Sequence, residues 1–350
     1  MLSFLIHQPF SIIAIFGPPR VVAGLTARPR LPQSRSRFMN TTRPAIGIDF
    51  GGTSIKSAVV HDGRLLAHGE PIDTEQFPNK NALLDEILRV IAALRTQHPE
   101  VAAIGVGLPG FVDSVNGIVH ELTNVTGWDE VPLRAILAER TGLAAIIEND
   151  AKAMAYGEWK YGAAQNGRNV ICITLGTGVG GGLILDGRLY RGAQLAAGEI
   201  GHASLDYRGV PGPYGDRGGL EEYVGNHQIA QRAAEMYRDA GHDVPVEKCT
   251  PRDLEIAARD GDPVALAMWD RVGAEIGCAL VNAIWILNPD AIVIGGGVAK
   301  AGDLLFEPIR RIVEKRTDPL FHENLRIVPA ALGNEAGIIG CATLAAESAG

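Results

Sequence analysis

The sequence has no Walker phosphate loop, no paired cysteines and no apolar run long enough to cross a bilayer. Each absence excludes something. Without the pattern G-x-x-x-x-G-K-[ST] the chain is not a P-loop nucleotide enzyme. Its four cysteines (Cys172, Cys249, Cys278 and Cys341) stand far apart, with neither disulfide nor metal-ligand spacing. Cys172 and Cys278 lie in apolar segments, as buried free thiols usually do. That usage fits a reducing, cytoplasmic setting. The run SIIAIF at 11–16 falls well short of the about 20 apolar residues a membrane span needs, and no basic stretch precedes it as in a secretory signal. Basic charge is not in excess either. Lys and Arg number 32 against 40 Asp and Glu, a net charge of −8 that gives no attraction to nucleic acid.

What is present is a globular chain of 350 residues, 46% hydrophobic and 21% charged, with room for two domains. The first 38 residues differ from the rest in holding five arginines and no acid. Met39 directly precedes NTTRPAIGIDFGG, so the leader (1–44 in all) reads as a start placed too far upstream or a solvated tail. An organelle transit peptide is the other reading.

From residue 45 short β-branched runs alternate with helical segments, which predicts an α/β layer fold. AIGID (Ala45–Asp49) is a buried strand, and IKSAVVHDGRLLAHGE is a hairpin about Asp62-Gly63. Leu84, Ile87, Leu88, Ile91 and Leu94 form a helical stripe. VAAIGVGLPG and AAIIEND are strands ending in polar residues, where open sheets bind ligands. The plan then repeats. NVICITLGTGVGGGLILDG is strand, glycine loop, strand. Helical segments follow over about 220–240 and 263–287, then AIVIGGGV, a helix from Asp303 and a final helix in NEAGIIGCATLAAE. Ile46–Gly52 and Val170–Gly182 look like equivalent parts of a duplicated unit.

Three glycine loops therefore stand at strand ends: DFGGT (Asp49–Thr53), LGTGVGGG (Leu175–Gly182) and IGGGV (Ile294–Val298). Backbone N–H groups of consecutive glycines can approach phosphate oxygens closely, and an aspartate ahead of such a loop can hold Mg²⁺ directly or through water. One such loop is as readily a tight turn; three at separate strand ends point to a nucleotide.

Taken in order over Ala45–Gly350, the motifs DFGGT, GVGLPG, END (Glu148–Asp150), LGTGVGGG, GEIGH and IGGGV resemble the ROK family of sugar kinases. The resemblance implies the two-domain actin-like ATPase (ribonuclease H-like) α/β fold, with the active site in the interdomain cleft. Residues 45–150 with the C-terminal helix 335–350 would form one domain and 151–334 the other. It also implies ATP and Mg²⁺ on one side of the cleft, a hexose on the other, and a homodimer. By that resemblance Asp150 is the general base, and Asn149, Glu199, His202 and Glu221 contact the sugar, with Gly110 and Asn124 as weaker candidates. Gly51, Gly52, Thr53, Lys56, Gly176, Thr177, Gly178, Gly296 and Gly297 would hold the nucleotide, and Asp49 the Mg²⁺. Read from the residues alone, Asp150 could merely cap the helix that follows it, Asn124 could be a turn former, and Glu222 faces the surface.

The chain departs from the family at one loop. Most members read C-x-C-G-x-x-G-C-x-E after GH, three cysteines joining the histidine around zinc. Here Gly212, Tyr214 and Gly219 stand at the cysteine positions, while Gly215, Gly218 and Glu221 match. Tetrahedral zinc needs four N, S or O donors, which His202 alone cannot supply, so no structural zinc is expected. Pro211 and Pro213 would stiffen the loop, Tyr214 pack inward, and Asp216 and Arg217 make local polar contacts.

The function expected is ATP-dependent phosphorylation of a hexose, most simply glucose to glucose 6-phosphate. Alternatives are another hexose or an N-acetylated amino sugar, polyphosphate as donor, or a non-catalytic sugar sensor. A DNA-binding repressor fits poorly, because the 44 residues before the first strand contain Pro9, Pro18, Pro19, Pro29 and Pro32 and too little helix-forming sequence.

Overall fold

The computed structural model describes residues 43–122 and 127–350; residues 1–42 of the leader and Asn124 lie outside the described residues. Strand β1 (Ala45–Phe50) pairs antiparallel with β2 (Ser54–His61), which places Asp49 opposite Lys56. Asp62 and Gly63, at φ 48° and 75°, make the tight turn into β3 (Arg64–His68), the left-handed pair a two-residue hairpin needs. Strand β4 (Ile72–Asp73) also pairs with β2. Helix α1 (Lys80–Gln97), capped by Asn79, buries Leu83, Leu84, Ile87, Val90, Ile91 and Leu94. Strand β5 (Ala103–Leu108) then joins β1 in parallel. A small antiparallel insert follows, β6 (Val112–Asp113), β7 (Ile118–Glu121) and β8 (Asp129–Val131), then helix α2 (Leu133–Thr141). Strand β9 (Ala144–Asn149) lies parallel to β5 and runs straight into helix α3 (Asp150–Tyr161).

The second sheet repeats the path of the first. Strands β10 (Val170–Leu175) and β11 (Val179–Leu185) form an antiparallel hairpin, with β12 (Arg188–Tyr190) beyond it. After a helical stretch made of α4 (Glu221–Val224), α5 (Asn226–Asp239), α6 (Pro251–Arg259) and α7 (Pro263–Leu287), strand β13 (Ala291–Gly295) lies parallel to β10. Helices α8 (Asp303–Arg316) and α9 (Pro319–His322) lead to β14 (Arg326–Pro329), parallel to β13. The strand orders are β3-β2-β1-β5-β9 and β12-β11-β10-β13-β14. Each is an antiparallel hairpin followed by two parallel strands, so the duplication expected from the glycine loops is present in the topology.

Helix α10 (Ala336–Ala349) closes the chain against the first sheet and against α3. Glycines in mid-strand make this approach possible. A Cβ at Gly47 of β1 or Gly105 of β5 would stand 2.0 Å from the carbonyl oxygens of Ile338 and Cys341, so the strands give up side chains to admit the helix backbone. Ile338 and Ile339, each 2% exposed, contribute on the order of 1.5–3 kcal/mol apiece by burial. A second core gathers around α7, where Met268, Trp269, Val272, Ile276, Leu280 and Ile284 are buried. Cys172, Cys249 and Cys341 are buried free thiols; Cys278, expected with them, is only partly covered. No helix among the described residues is long and apolar enough to cross a membrane.

Candidate active site

The site is built on the junction of β9 and α3. Asn149 is the helix cap: its Oδ1 accepts the Lys152 N–H at 3.1 Å, while its Nδ2 donates to the Gly110 carbonyl at 3.2 Å. The reading in which Asp150 merely caps α3 is therefore corrected. Asp150 is the first helical residue, its Oδ1 taking only the neighbouring Ala151 N–H at 2.8 Å. Burial pushes the Asp150 carboxyl up to about 6. Asp49 and Glu199 add to that shift, and the Ala151 N–H and Lys152 oppose it. A carboxyl so placed is poised to exchange a proton near neutral pH.

Two cavities meet at Asp150. One, of about 620 Å³, is lined by Gly110, Asn149, Glu199, His202 and Glu221 together with the loop Gly176–Gly178. The described sugar-side candidates are thus brought into one space with the second glycine loop. The other cavity, of about 330 Å³, is lined by Asp49, Gly296, Lys300 and Asn334. Burial raises the Asp49 carboxyl, with Lys56 across the hairpin opposing the shift. Asp49 and Asp150 both line this cavity, and a hard cation there would offset the cost that burial sets on their charged forms. Asp49, an oxygen donor beside a space large enough for phosphates, suits Mg²⁺ held directly or through water.

Several candidates are already engaged. Glu221 Oε2 accepts the Val179 N–H at 2.7 Å, clamping the glycine loop. The same loop is tied by Asn226, whose N–H donates to the Gly176 carbonyl at 2.9 Å. In the first loop the Gly51 N–H is taken by the Ser54 carbonyl at 3.0 Å, and the Gly52 and Thr53 carbonyls accept from Thr74. Thr53 and Lys56 are exposed. Gly297 faces a separate cavity of about 420 Å³ with Thr250, Arg252 and Lys300. Glu222 is half-buried at the start of α4 rather than on the surface.

The loop after His202 holds itself together without cysteine. Gly212 N–H donates to the Asp216 carbonyl at 2.9 Å and Gly218 N–H to Val210 at 2.7 Å. Asp216 Oδ1 accepts the Tyr214 N–H at 3.2 Å, Arg217 donates to the Gly209 carbonyl at 3.1 Å, and Ser204 donates to the Arg217 carbonyl at 2.7 Å. The expected polar contacts of Asp216 and Arg217 are present. Tyr214 is not packed inward: it is 69% exposed and meets His202 edge-on, ring centroids 5.3 Å apart. Edge-on contact with the His202 ring takes the place of core packing and leaves most of the tyrosine ring exposed.

Sequence reasoning missed Lys152, Arg191 and Glu158. Lys152 is 1% exposed and pairs with Glu199. Arg191 Nε lies 2.7 Å from the buried Glu148 Oε2. Glu158, fully buried, accepts the N–H groups of Ala163, Ala331 and Leu332, fixing the segment that walls the Asp49 cavity. The available signal was a lysine in the first turn of α3, where a cation opposes the helix dipole.

Two sheets of one topology, each opening with a glycine hairpin, and an acid at the strand end between them define the actin-like ATPase fold. The chain belongs to the ROK family, whose sequence pattern matches residues 45–348. Over 316 residues it is 35% identical to a glucokinase of Streptomyces coelicolor, covering 86% of this chain and 97% of that one. Its structure is similar to that of a ROK family glucokinase from Streptomyces griseus in complex with glucose and AMPPNP, with TM-score 0.71 and 33% identity over 87% and 99% of the two chains. It is also 28% identical to a xylose repressor of Caldicellulosiruptor bescii, over 74% of this chain and 66% of the repressor. By class the protein is a sugar kinase.

Proposed function

We propose that this chain transfers the γ-phosphoryl group of ATP·Mg²⁺ to the primary hydroxyl of a hexose, glucose foremost, giving the hexose 6-phosphate and ADP. The observation that carries the reading is the position of Asp150, where the polar cavity of Glu199, His202 and Glu221 meets the cavity of Asp49 and Gly296. A hydroxyl bound in the first and a phosphate held toward the second would meet at this carboxylate. Asp150 Oδ2 takes the hydroxyl proton as the sugar oxygen bonds to phosphorus and the bond from phosphorus to the leaving oxygen breaks. Glu199 and Glu221 offer carboxylate oxygens to hydroxyl donors, which selects among epimers because a wrong epimer leaves buried polar groups unpaired. Bound Mg²⁺, held by Asp49, would supply positive charge to the phosphate oxygens. The glycine loops at Gly51–Thr53, Gly176–Gly178 and Gly296–Gly297 flank the donor, and the two sheets with their helices form the two domains.

The S. griseus glucokinase complex supports ATP and glucose as ligands by similarity. The test is sugar-phosphate formation over a panel of hexoses and N-acetylated amino sugars, with ATP and polyphosphate as separate donors. Glucose with ATP should give the highest kcat/KM. Sugar binding with no transfer from either donor would instead identify a sensor.

A further inference from the structure

One charge at the junction of β9 and α3 stands where local physics opposes it. Lys152 is the third residue of α3, where the helix dipole favours anions. Its side chain is 1% exposed, and a buried ammonium gives up its hydration. Among the described residues its ion-pair partner is Glu199, with Nζ 3.5 Å from Oε1. Glu199 precedes the short turn Ile200–His202 without a side-chain capping bond, so its own backbone does not hold its carboxylate. At the other end of this segment Arg191 pairs with Glu148 at 2.7 Å. The stretch 191–199 is therefore clasped at both ends to residues lying two places on either side of Asp150.

We propose that Lys152 is a positioning residue for the sugar site, its buried ammonium fixing the Glu199 carboxylate toward the sugar hydroxyls. The inference rests on the reading of this cavity as a hexose site. The pair at 3.5 Å is longer than the about 2.7–2.9 Å of a charge-assisted hydrogen bond. Lys152 thus orients Glu199 by attraction while leaving its oxygens to accept from a ligand. The same cation tempers the acids around Asp150, which is faced by Asp49 of β1, by Glu199 and by the Cys341 thiol of α10. Lys56 stands behind Asp49 on β2.

The decisive experiment is calorimetric hexose binding in the Asp150→Asn background, where turnover does not interfere. Lys152→Met keeps the stem and removes the charge; hexose affinity should fall by at least about tenfold, within the range for directly coupled neighbours. In the chain with Asp150 intact, hexose KM should rise while KM for ATP stays unchanged, and the acidic limb of kcat/KM should move to higher pH. In a Glu199→Gln background the same Lys152→Met change should weaken binding less than about twofold, because its partner's charge is gone. Should Lys152→Met fail to fold, Lys152→Gln carries the same expectations. Unchanged hexose affinity, or an equal loss with and without the Glu199 charge, overturns the proposal. Failure of the unsubstituted chain to bind any hexose overturns the reading of the site itself, which separates the two.

Discussion

Asp150 draws opposite demands from its surroundings. A base must be ionised to accept a proton, yet burial and the facing acids Asp49 and Glu199 favour its neutral form. With the carboxyl pushed up to about 6, kcat/KM should climb as pH rises through 6 and level off above it. Asp150→Asn keeps the size and removes the proton acceptor, so turnover should fall by at least about 10²-fold, the low end for general base removal. Near-normal turnover in that variant would refute the assignment. Stability should move the other way. A folded pKa above the unfolded value means the native state binds the proton more tightly, so stability is full below about pH 4 and declines as pH rises through 6. The Asn variant escapes that loss and should be more stable than the parent at pH 8 by roughly 1–2 kcal/mol after allowing for solvent screening. Denaturant titrations at pH 5 and pH 8 would read the difference.

At the scale of elements, two features invite a test. The first is the loop from Ser204 to Gly219, joined across its base by a bridge between these two residues. With backbone bonds, Asp216 and Arg217 supporting its shape, a purified sample should carry far less than one zinc per chain. Its activity should survive a strong chelator once Mg²⁺ is restored. Stoichiometric zinc by elemental analysis, lost together with activity, would show this account of the loop to be wrong. The second is the crossing of α3 and α10. A Cβ at Gly340 would stand 1.8 Å from the Ala153 carbonyl oxygen, so Gly340→Val must spread the helices. The expected loss is about 3 kcal/mol or more, at the upper end for overpacking, seen as a lowered urea midpoint. Because α3 carries Asp150 at its first turn, activity in the surviving folded fraction should drop as well.

For the whole molecule the charge balance sets an expectation about nucleic acid. At −8 the chain lacks the phosphate-neutralising surplus on which nucleic-acid binding depends. Similarity to a xylose repressor over 66% of that protein therefore should not translate into DNA retention. Duplex DNA at about 0.15 M salt should show no mobility shift, and a stable complex would reopen the regulator reading. The family match begins at residue 45. Accordingly a chain beginning at Met39 should match the full chain in hexose phosphorylation and in cooperative unfolding.

Much of this was legible in one dimension. Strand β1 and helix α1 follow from side-chain periodicity, and the Asp62-Gly63 turn from glycine's tolerance of left-handed backbone, and both are local properties. The order of motifs likewise carried the family. Spatial partnership is not local. That Glu221 holds the Val179 N–H depends on a group 42 residues away, whereas the Asn149 cap of α3 acts over only 3 residues and is itself a local property. The fates of Lys152 and Arg191 turn on residues 47 and 43 positions distant. The sequence by itself determined which groups could do the chemistry, because residue type sets donors, acceptors and charge. Only the tertiary structure decided which of them are free to act, since burial and long-range pairing set how far a charge is screened and which oxygen is still unbonded when a ligand arrives.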